Sequence, residues 1–474
     1  MRKYIAFLLV LVLCLSPLTA LAAGEADPSA TPTPTPAPTP KPVQVSQLLA
    51  DLQPPACKAA LLMDAETGTV LYDLNGDEQN YPASITKIMT ALLTLEAVER
   101  GELSLDQVVT VPEGFDADLE LGGTSQNLKV GEEFSVHELL YCALVASAND
   151  ACNALAYAVA GDVPSFVSRM NNRAEELGLT GTHYINAHGL HNEEHYTTAH
   201  DIAVLTRLAL ENETFAELVS TKSHTVPPTN LTGERRFSST NALLLPIYDG
   251  KYVYPRAIGV KTGTTRAAGK CLVSAAEKDE KRLICVILGA EDVEDESGRL
   301  TRMVFTESKR LLEWGFDSFS ERTLLNTATP LAEVAVTLSA DVTAVAVKPQ
   351  SAISAILPKD LDPAEFQRDI TLYADSVEAP VEAGQELGEI TVRNGDDVYG
   401  TVKLVAVAGA ERSELLSNMK ATKDFFDLTV VKVALGLLVV VALFLIVRFG
   451  VLGKRRSRYE GHAKGYRGRS RRDR

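Results

Sequence analysis

Five textures of hydrophobic and polar positions succeed one another along the chain. Arg2 and Lys3 precede an apolar run over 5–15 and the small-residue exit Ala20-Leu21-Ala22. A basic start, a short apolar stretch and an A-x-A exit describe a secretory signal peptide over 1–22. Proline at nearly every second position of 29–42 favours extended polyproline II. That stretch makes 23–44 a tether, with a reach of about 40 Å at about 3.1 Å per residue.

Between 45 and 320 the strand and helix periods mix. The apolar runs 59–63 and 70–72, joined through Glu66-Thr67-Gly68, predict a hairpin. Helical spacing follows over 84–99 and 137–160, and a second strand pair, 271–275 and 283–288, flanks a polar turn around Asp279. Strands at both ends with helices between them predict an α/β sandwich whose sheet is mainly antiparallel. Beyond Phe316 the runs 334–338, 342–347, 390–392 and 402–407 alternate or are β-branched, and Asn394-Gly395 marks a hairpin turn. Residues 321–410 are therefore expected as a small β-rich domain.

A connector over 411–427 leads to a last apolar segment, 428–452, read as a transmembrane helix. Its uninterrupted part, 433–447, is short for hydrocarbon, but Lys432 and Arg448 can snorkel, and the 20 residues 428–447 suffice. Lys454-Arg455-Arg456 follow, so the positive-inside rule places the tail 453–474 in the cytoplasm and the body outside.

Charge sharpens this division. The chain carries −16, yet the segment 454–474 alone carries +8. With that tail, the signal, Lys432 and Arg448 set aside, the exported part carries −28. So acidic a body argues against nucleic acid as a partner, and anionic lipid is the nearer partner of the tail. Cys14 leaves with the signal; Cys57, Cys142, Cys152, Cys271 and Cys285 remain, an odd number with no C-x-x-C spacing. The predicted hairpin could set Cys271 opposite Cys285.

Three short motifs could carry chemistry. Ser84-Ile85-Thr86-Lys87 is an S-x-x-K at the opening of a helical run, where free N–H groups and the positive helix end favour an anion. Ser84 and Lys87 share one helix face, so a lysine kept neutral by burial can take the serine proton. Ser417-Asn418-Met419-Lys420 has the same spacing without a following apolar face, which fits a capping serine and a surface lysine. Ser147-Ala148-Asn149 interrupts an apolar run, so its polar groups belong inside a site or at a helix break. Ser125-Gln126-Asn127 and Ser239-Thr240-Asn241 match the same pattern in polar, loop-like surroundings and are set aside. Lys261-Thr262-Gly263-Thr264 occurs once; its Lys and Thr groups suit a carboxylate, and Gly263 permits close approach of a substrate backbone.

The three motifs in this order resemble the low-molecular-mass penicillin-binding proteins, the serine D-alanyl-D-alanine carboxypeptidases. The resemblance covers about 45–410 and extends to Tyr184-Ile185-Asn186-Ala187-His188-Gly189-Leu190, Tyr196-Thr197-Thr198-Ala199 and Leu312-Glu313-Trp314-Gly315-Phe316. It implies a D,D-peptidase catalytic domain over 45–320, a β-lactamase/D,D-peptidase-like antiparallel sheet flanked by helices with a helical subdomain, followed by the β-rich domain. It also implies that Ser84 attacks the bond between the last two D-alanines of a peptidoglycan stem peptide, with Lys87 as proton acceptor and Ser147 as relay to the leaving amine. Asn149 would hold the substrate amide. Lys261, Thr262 and Thr264 would bind the terminal carboxylate, and the N–H groups of Ser84 and Thr264 would form the oxyanion hole. β-Lactams would acylate Ser84; no cofactor or metal is implied. The family often ends in an amphipathic helix lying on the membrane, where this chain has a span and a basic tail.

Other readings make different demands. A β-lactamase needs a carboxylate that activates water beside the acyl-ester, and the sequence offers no clear one. A metal peptidase would draw on His183, His188, His191, His195 and His200, but no H-E-x-x-H is present. A wall sensor signalling through the span would not need the intact nucleophile and base, and the tail holds no recognisable signalling domain.

Overall fold

In a computed structural model, residues 44–119 and 123–459 are described; the expected signal, the tether to 43 and the end of the tail lie outside them. The chain divides into two compact units. One comprises Val45–Arg322 with Ser354–Pro363, the other Thr323–Ile353 with Ala364 onward.

The first unit is built on β1 (Ala59–Asp64), β2 (Val70–Leu74), β3 (Ala257–Thr265), β4 (Gly269–Lys278) and β5 (Lys281–Ala290). They form one antiparallel sheet in the order β2-β1-β5-β4-β3, so β3 lies at an edge. Both faces of the sheet are covered, which is why its central strands are unbroken apolar runs. Ala59, Leu61 and Met63 join Val273, Ile284, Val286 and Leu288 in one core. Ala60 and Leu62 join Leu272, Leu283, Cys285 and Ile287 in the other.

The first core takes its helices from α1 (Lys87–Glu99), α2 (Val136–Leu144), α3 (Asn149–Ala160), α4 (Val163–Glu176), α5 (Ala199–Ala209) and α6 (Glu213–Ser220). The second takes α7 (Met303–Ser318). This is the expected α/β architecture with its helical portion between the strand pairs.

Two expectations need revision here. The helical run 137–160 is two helices. Ser147 adopts φ +62°, the Ala148 N–H returns to Cys142 O, and the Asn149 N–H goes to Thr124 O. Nor do Cys271 and Cys285 face each other: the β4–β5 register sets Ser274 opposite Cys285, and the two thiols lie in different cores. All five described cysteines are free.

The second unit holds a six-stranded sheet of β6 (Ala332–Thr337), β7 (Ala344–Pro349), β8 (Gln367–Leu372), β9 (Ser376–Glu378), β10 (Glu386–Asn394) and β11 (Asp397–Ala406), in the order β8-β10-β11-β7-β6-β9. β10 and β11 form the hairpin expected at Asn394-Gly395, pairing Asn394 with Asp397. Residues read as a plain connector form a helix, α8 (Glu414–Asp427), whose Ser413 cap accepts from Leu416 N. α9 (Thr429–Tyr459) follows, and its stretch Thr429–Arg448 has mean hydropathy 3.1 and no buried residue. At 1.5 Å per residue those 20 residues extend about 30 Å, long enough to cross a bilayer core.

Candidate active site

Ser84 lies in a tight 3-10 turn, Ala83–Thr86, between Pro82 and the start of α1. Two glycines allow other backbone to close on this turn. A Cβ on Gly263 of β3 would stand 2.9 Å from Pro82 O and 3.1 Å from Ser84 N; one on Gly189 would stand 1.8 Å from Ala83 O. Gly263 was expected to make room for a substrate backbone, yet the close approach it permits is to the serine turn itself. A buried chain secures the turn from behind. His195 Nδ1 accepts from the Ile185 N–H, so Nε2 carries the proton and donates to Thr86 Oγ1, which donates to Ala83 O. Burial pushes the His195 imidazole down to about 3, with the neighbouring histidines adding to the effect, so it stays neutral.

Lys87 is fully buried one turn on from Ser84. Its Nζ lies 2.8 Å from Ser84 Oγ, 2.8 Å from Asn149 Oδ1 and 2.7 Å from His188 O. Burial lowers its pKa from the ordinary lysine range to about 8, against the charge of Asp150. Two of the three partners can only accept. A neutral amine has two N–H groups and one lone pair, so donating to Asn149 and His188 turns the lone pair to the Ser84 hydroxyl.

The loop that supplies the His188 carbonyl is itself held. The His188 ring accepts from Leu190 N at Nδ1 and meets Asp118 at Nε2, while Asn153 Nδ2 donates to the other Asp118 oxygen. Burial works against the Asp118 carboxylate, but the hydrogen bonds from His188 and Asn153 outweigh it and hold its pKa below the usual range. Lys261 on β3 is also fully buried, and burial together with the charge of Lys87 drives its pKa well down.

Two cavities meet at Ser84. One, of about 240 Å³, is lined by Ser84, Ser147, Thr240, Thr262 and Thr264 and ends at Asp292 and Arg302, which are ion-paired. The other, of about 640 Å³, runs past Asn149, Gly189 to His191, and Thr264 to Ala267. Ser84, Lys87, Ser147, Asn149, Thr262, Gly263 and Thr264 are thus gathered on one site, with Lys261 buried behind it.

Sequence reasoning missed Thr240, whose hydroxyl is 2.5 Å from that of Thr262, and Asn241, whose Nδ2 donates to Gly259 O. Their Ser239-Thr240-Asn241 motif was the available signal. It also missed buried Asp150, which accepts from Ser125 Oγ and from the N–H groups of Gln126 and Leu128 and so fastens the loop carrying Thr124.

The rival groupings are not assembled. On α8, Ser417 Oγ accepts from Arg412, and Lys420 pairs with Glu378. The histidines are engaged separately, His183 with Glu194 O and His191 edge-on to Tyr81. Among the described residues no group of three or more His, Cys, Asp or Glu could hold a metal ion. The one carboxylate among the described residues lining either cavity is Asp292, already tied to Arg302.

Residues 48–292 match the family model for D-alanyl-D-alanine carboxypeptidase, and 319–412 match that for the penicillin-binding protein 5 C-terminal domain. The chain is 30% identical over 367 residues to the D-alanyl-D-alanine carboxypeptidase DacF of Bacillus subtilis, covering 77% of this chain and 88% of the relative. It is 32% identical over 383 residues to DacD of Salmonella typhimurium, covering 79% and 91%. Two solved structures are similar over most of their length. For the carboxypeptidase DacD from Francisella tularensis the TM-score is 0.60 at 25% identity, with 78% of this chain and 97% of that one covered. For penicillin binding protein 6B from Escherichia coli it is 0.56 at 30% identity, with 75% and 97% covered. This chain belongs to the D-alanyl-D-alanine carboxypeptidase family of serine hydrolases.

Proposed function

We propose that Ser84 is the nucleophile with which this chain removes the terminal D-alanine from peptidoglycan stem peptides. The observation that carries this is the ring of partners around Lys87, which leaves a neutral amine only its lone pair for the Ser84 proton. Ser84 Oγ attacks the carbonyl of the scissile D-Ala-D-Ala bond while its proton passes to Lys87 Nζ. The backbone N–H groups of Ser84 and Thr264 bind the developing oxyanion, a donor set in which one lost bond typically costs about 10²–10³ in rate. As the C–N bond breaks, Ser147 relays the proton held on Lys87 Nζ to the departing amine, which leaves Lys87 neutral again, and free D-alanine leaves. Water then hydrolyses the ester on Ser84. Asn149 Nδ2 donates to the substrate amide carbonyl, and Lys261, Thr262, Thr264 and Thr240 form the end that receives the terminal carboxylate.

The catalytic unit acts outside the cytoplasm, with α9 crossing the membrane and the basic tail inside. β-Lactams acylate Ser84 in place of the peptide.

The test is mass spectrometry of the full-length chain in detergent, with penicillin and separately with a peptide ending in D-Ala-D-Ala. A penicilloyl adduct on Ser84 and release of D-alanine are expected. An adduct on another residue, or none at all, would sink the assignment.

A further inference from the structure

The two cavities that meet at Ser84 differ in size and in how their charges are used. The departing D-alanine is one small residue and suits the space of about 240 Å³, whose wall carries Arg302, paired with Asp292, and Lys270, a point-charge ammonium suited to a terminal carboxylate. The acyl part is a peptide of several residues and suits the space of about 640 Å³. Arg266 stands on the wall of that larger cavity, in the turn between β3 and β4. It is exposed and, among the described residues, makes no hydrogen bond or ion pair. Arg173 and Arg235, by contrast, are both paired with glutamates. None of the described residues lining the larger cavity is acidic. A guanidinium held in solvent beside a peptide channel, with no carboxylate paired to it among the described residues, is a receptor for a planar anion.

Reach fixes where that anion sits. Arg266 is two positions beyond Thr264, about 7 Å at roughly 3.3 Å per residue, and an extended substrate covers the same distance in two residues. We propose that Arg266 selects stem peptides bearing a free carboxylate on the acyl side, at the second or third residue counted back from the scissile bond. The inference rests on Ser84 being the nucleophile and on the leaving residue occupying the smaller cavity.

The test uses the full-length chain in detergent and two pairs of peptides ending in D-Ala-D-Ala. Within each pair only a side carboxyl group differs, as free acid or as carboxamide, at the second residue in one pair and the third in the other. D-Alanine release gives kcat and KM. The acid is expected to be preferred by roughly fivefold to tenfold in one pair, the range of a partly solvated charge-assisted bond. The preference should lie in KM, because Arg266 is remote from the reacting atoms. Arg266→Gln should abolish it and Arg266→Glu should favour the amide. Equal handling of acid and amide by the wild type in both pairs, or a preference that survives Arg266→Gln, overturns the inference. The penicilloyl adduct on Ser84, measured in the same preparation, keeps the two readings apart. Its presence without an acid preference removes only the role of Arg266, and its absence removes the assignment of Ser84.

Discussion

Replacing Gly189 by alanine tests whether the His188 carbonyl matters to Lys87. The added Cβ would lie 1.8 Å from Ala83 O, 2.4 Å from Ala83 C and 2.9 Å from Thr86 Oγ1, against the roughly 3.5 Å that non-bonded atoms require. Backbone blocks the space on the turn side, so the loop must withdraw by more than an ångström. The carbonyl of His188, one residue earlier, then leaves its 2.7 Å contact with Lys87 Nζ.

Losing one acceptor from a buried amine costs about 1.5–3 kcal/mol. Gly189 also has φ +89°, and a left-handed residue with a side chain costs about 1–2 kcal/mol more. Displacement of a catalytic group by about 1 Å corresponds to roughly a hundredfold in rate. The control is Gly178→Ala: φ is +72° there, but nothing lies within 4 Å of its Cβ, so it carries the conformational strain without the collision. Stopped-flow acylation by a fluorescent penicillin, read beside thermal unfolding, should show both variants destabilised and only Gly189→Ala slowed about a hundredfold. If Gly189→Ala acylates within about threefold of wild type, the role given to the His188 carbonyl is wrong.

Three further outcomes are expected. On the proposal that Lys87 is the base, it serves only when deprotonated, so with its pKa lowered to about 8 acylation should fall about tenfold per unit as pH drops below 8 and level off above it; a rate flat from pH 6 to 9 would contradict this. Asp150→Ala leaves the Gln126 and Leu128 N–H groups without their shared acceptor, and urea denaturation should register a loss of about 3 kcal/mol; an unchanged midpoint would show that the loop does not depend on this carboxylate. Thr240→Val removes the hydroxyl beside Thr262 and should raise KM for the D-Ala-D-Ala peptide severalfold with kcat little changed, so a fall confined to kcat would move Thr240 from binding to chemistry.

The parts of the site legible in the sequence depend on short spacings. Ser84 and Lys87 are one helical turn apart, and Lys261 and Thr262 are neighbours, so chain geometry alone relates them. What makes Lys87 distinctive is supplied from far away: Asn149 is 62 residues distant and His188 101, and no local pattern carries such contacts. Thr240 was dismissed because its surroundings are polar, yet a substrate-binding wall is itself a polar, half-exposed surface. The hairpin of β4 and β5 was visible in its apolar runs. Its register was not, because it is set by the two-residue turn Asp279-Glu280, which pairs Lys278 with Lys281 and so puts Ser274, not Cys271, opposite Cys285. The helix α8 went unread because its sequence lacks a buried face: none of its residues is buried.

The place of β3 at the rim of its sheet has a consequence for how the molecule lives with other chains. A strand with one hydrogen-bonded neighbour offers its second row of N–H and C=O groups to any extended backbone, which invites aggregation as readily as it invites a substrate. An enzyme that reads an extended peptide end cannot bury that row without losing its purpose. Here the exposure is rationed. α6 packs beside β3 and Asn241 takes the Gly259 carbonyl, leaving the stretch around residues 262–264 facing the cavities. Three residues can grip the end of a peptide but are too few to recruit a stable foreign strand. On the role proposed for residues 262–264, the motif that reads the substrate is therefore also the limit that keeps the protein from templating its own polymer.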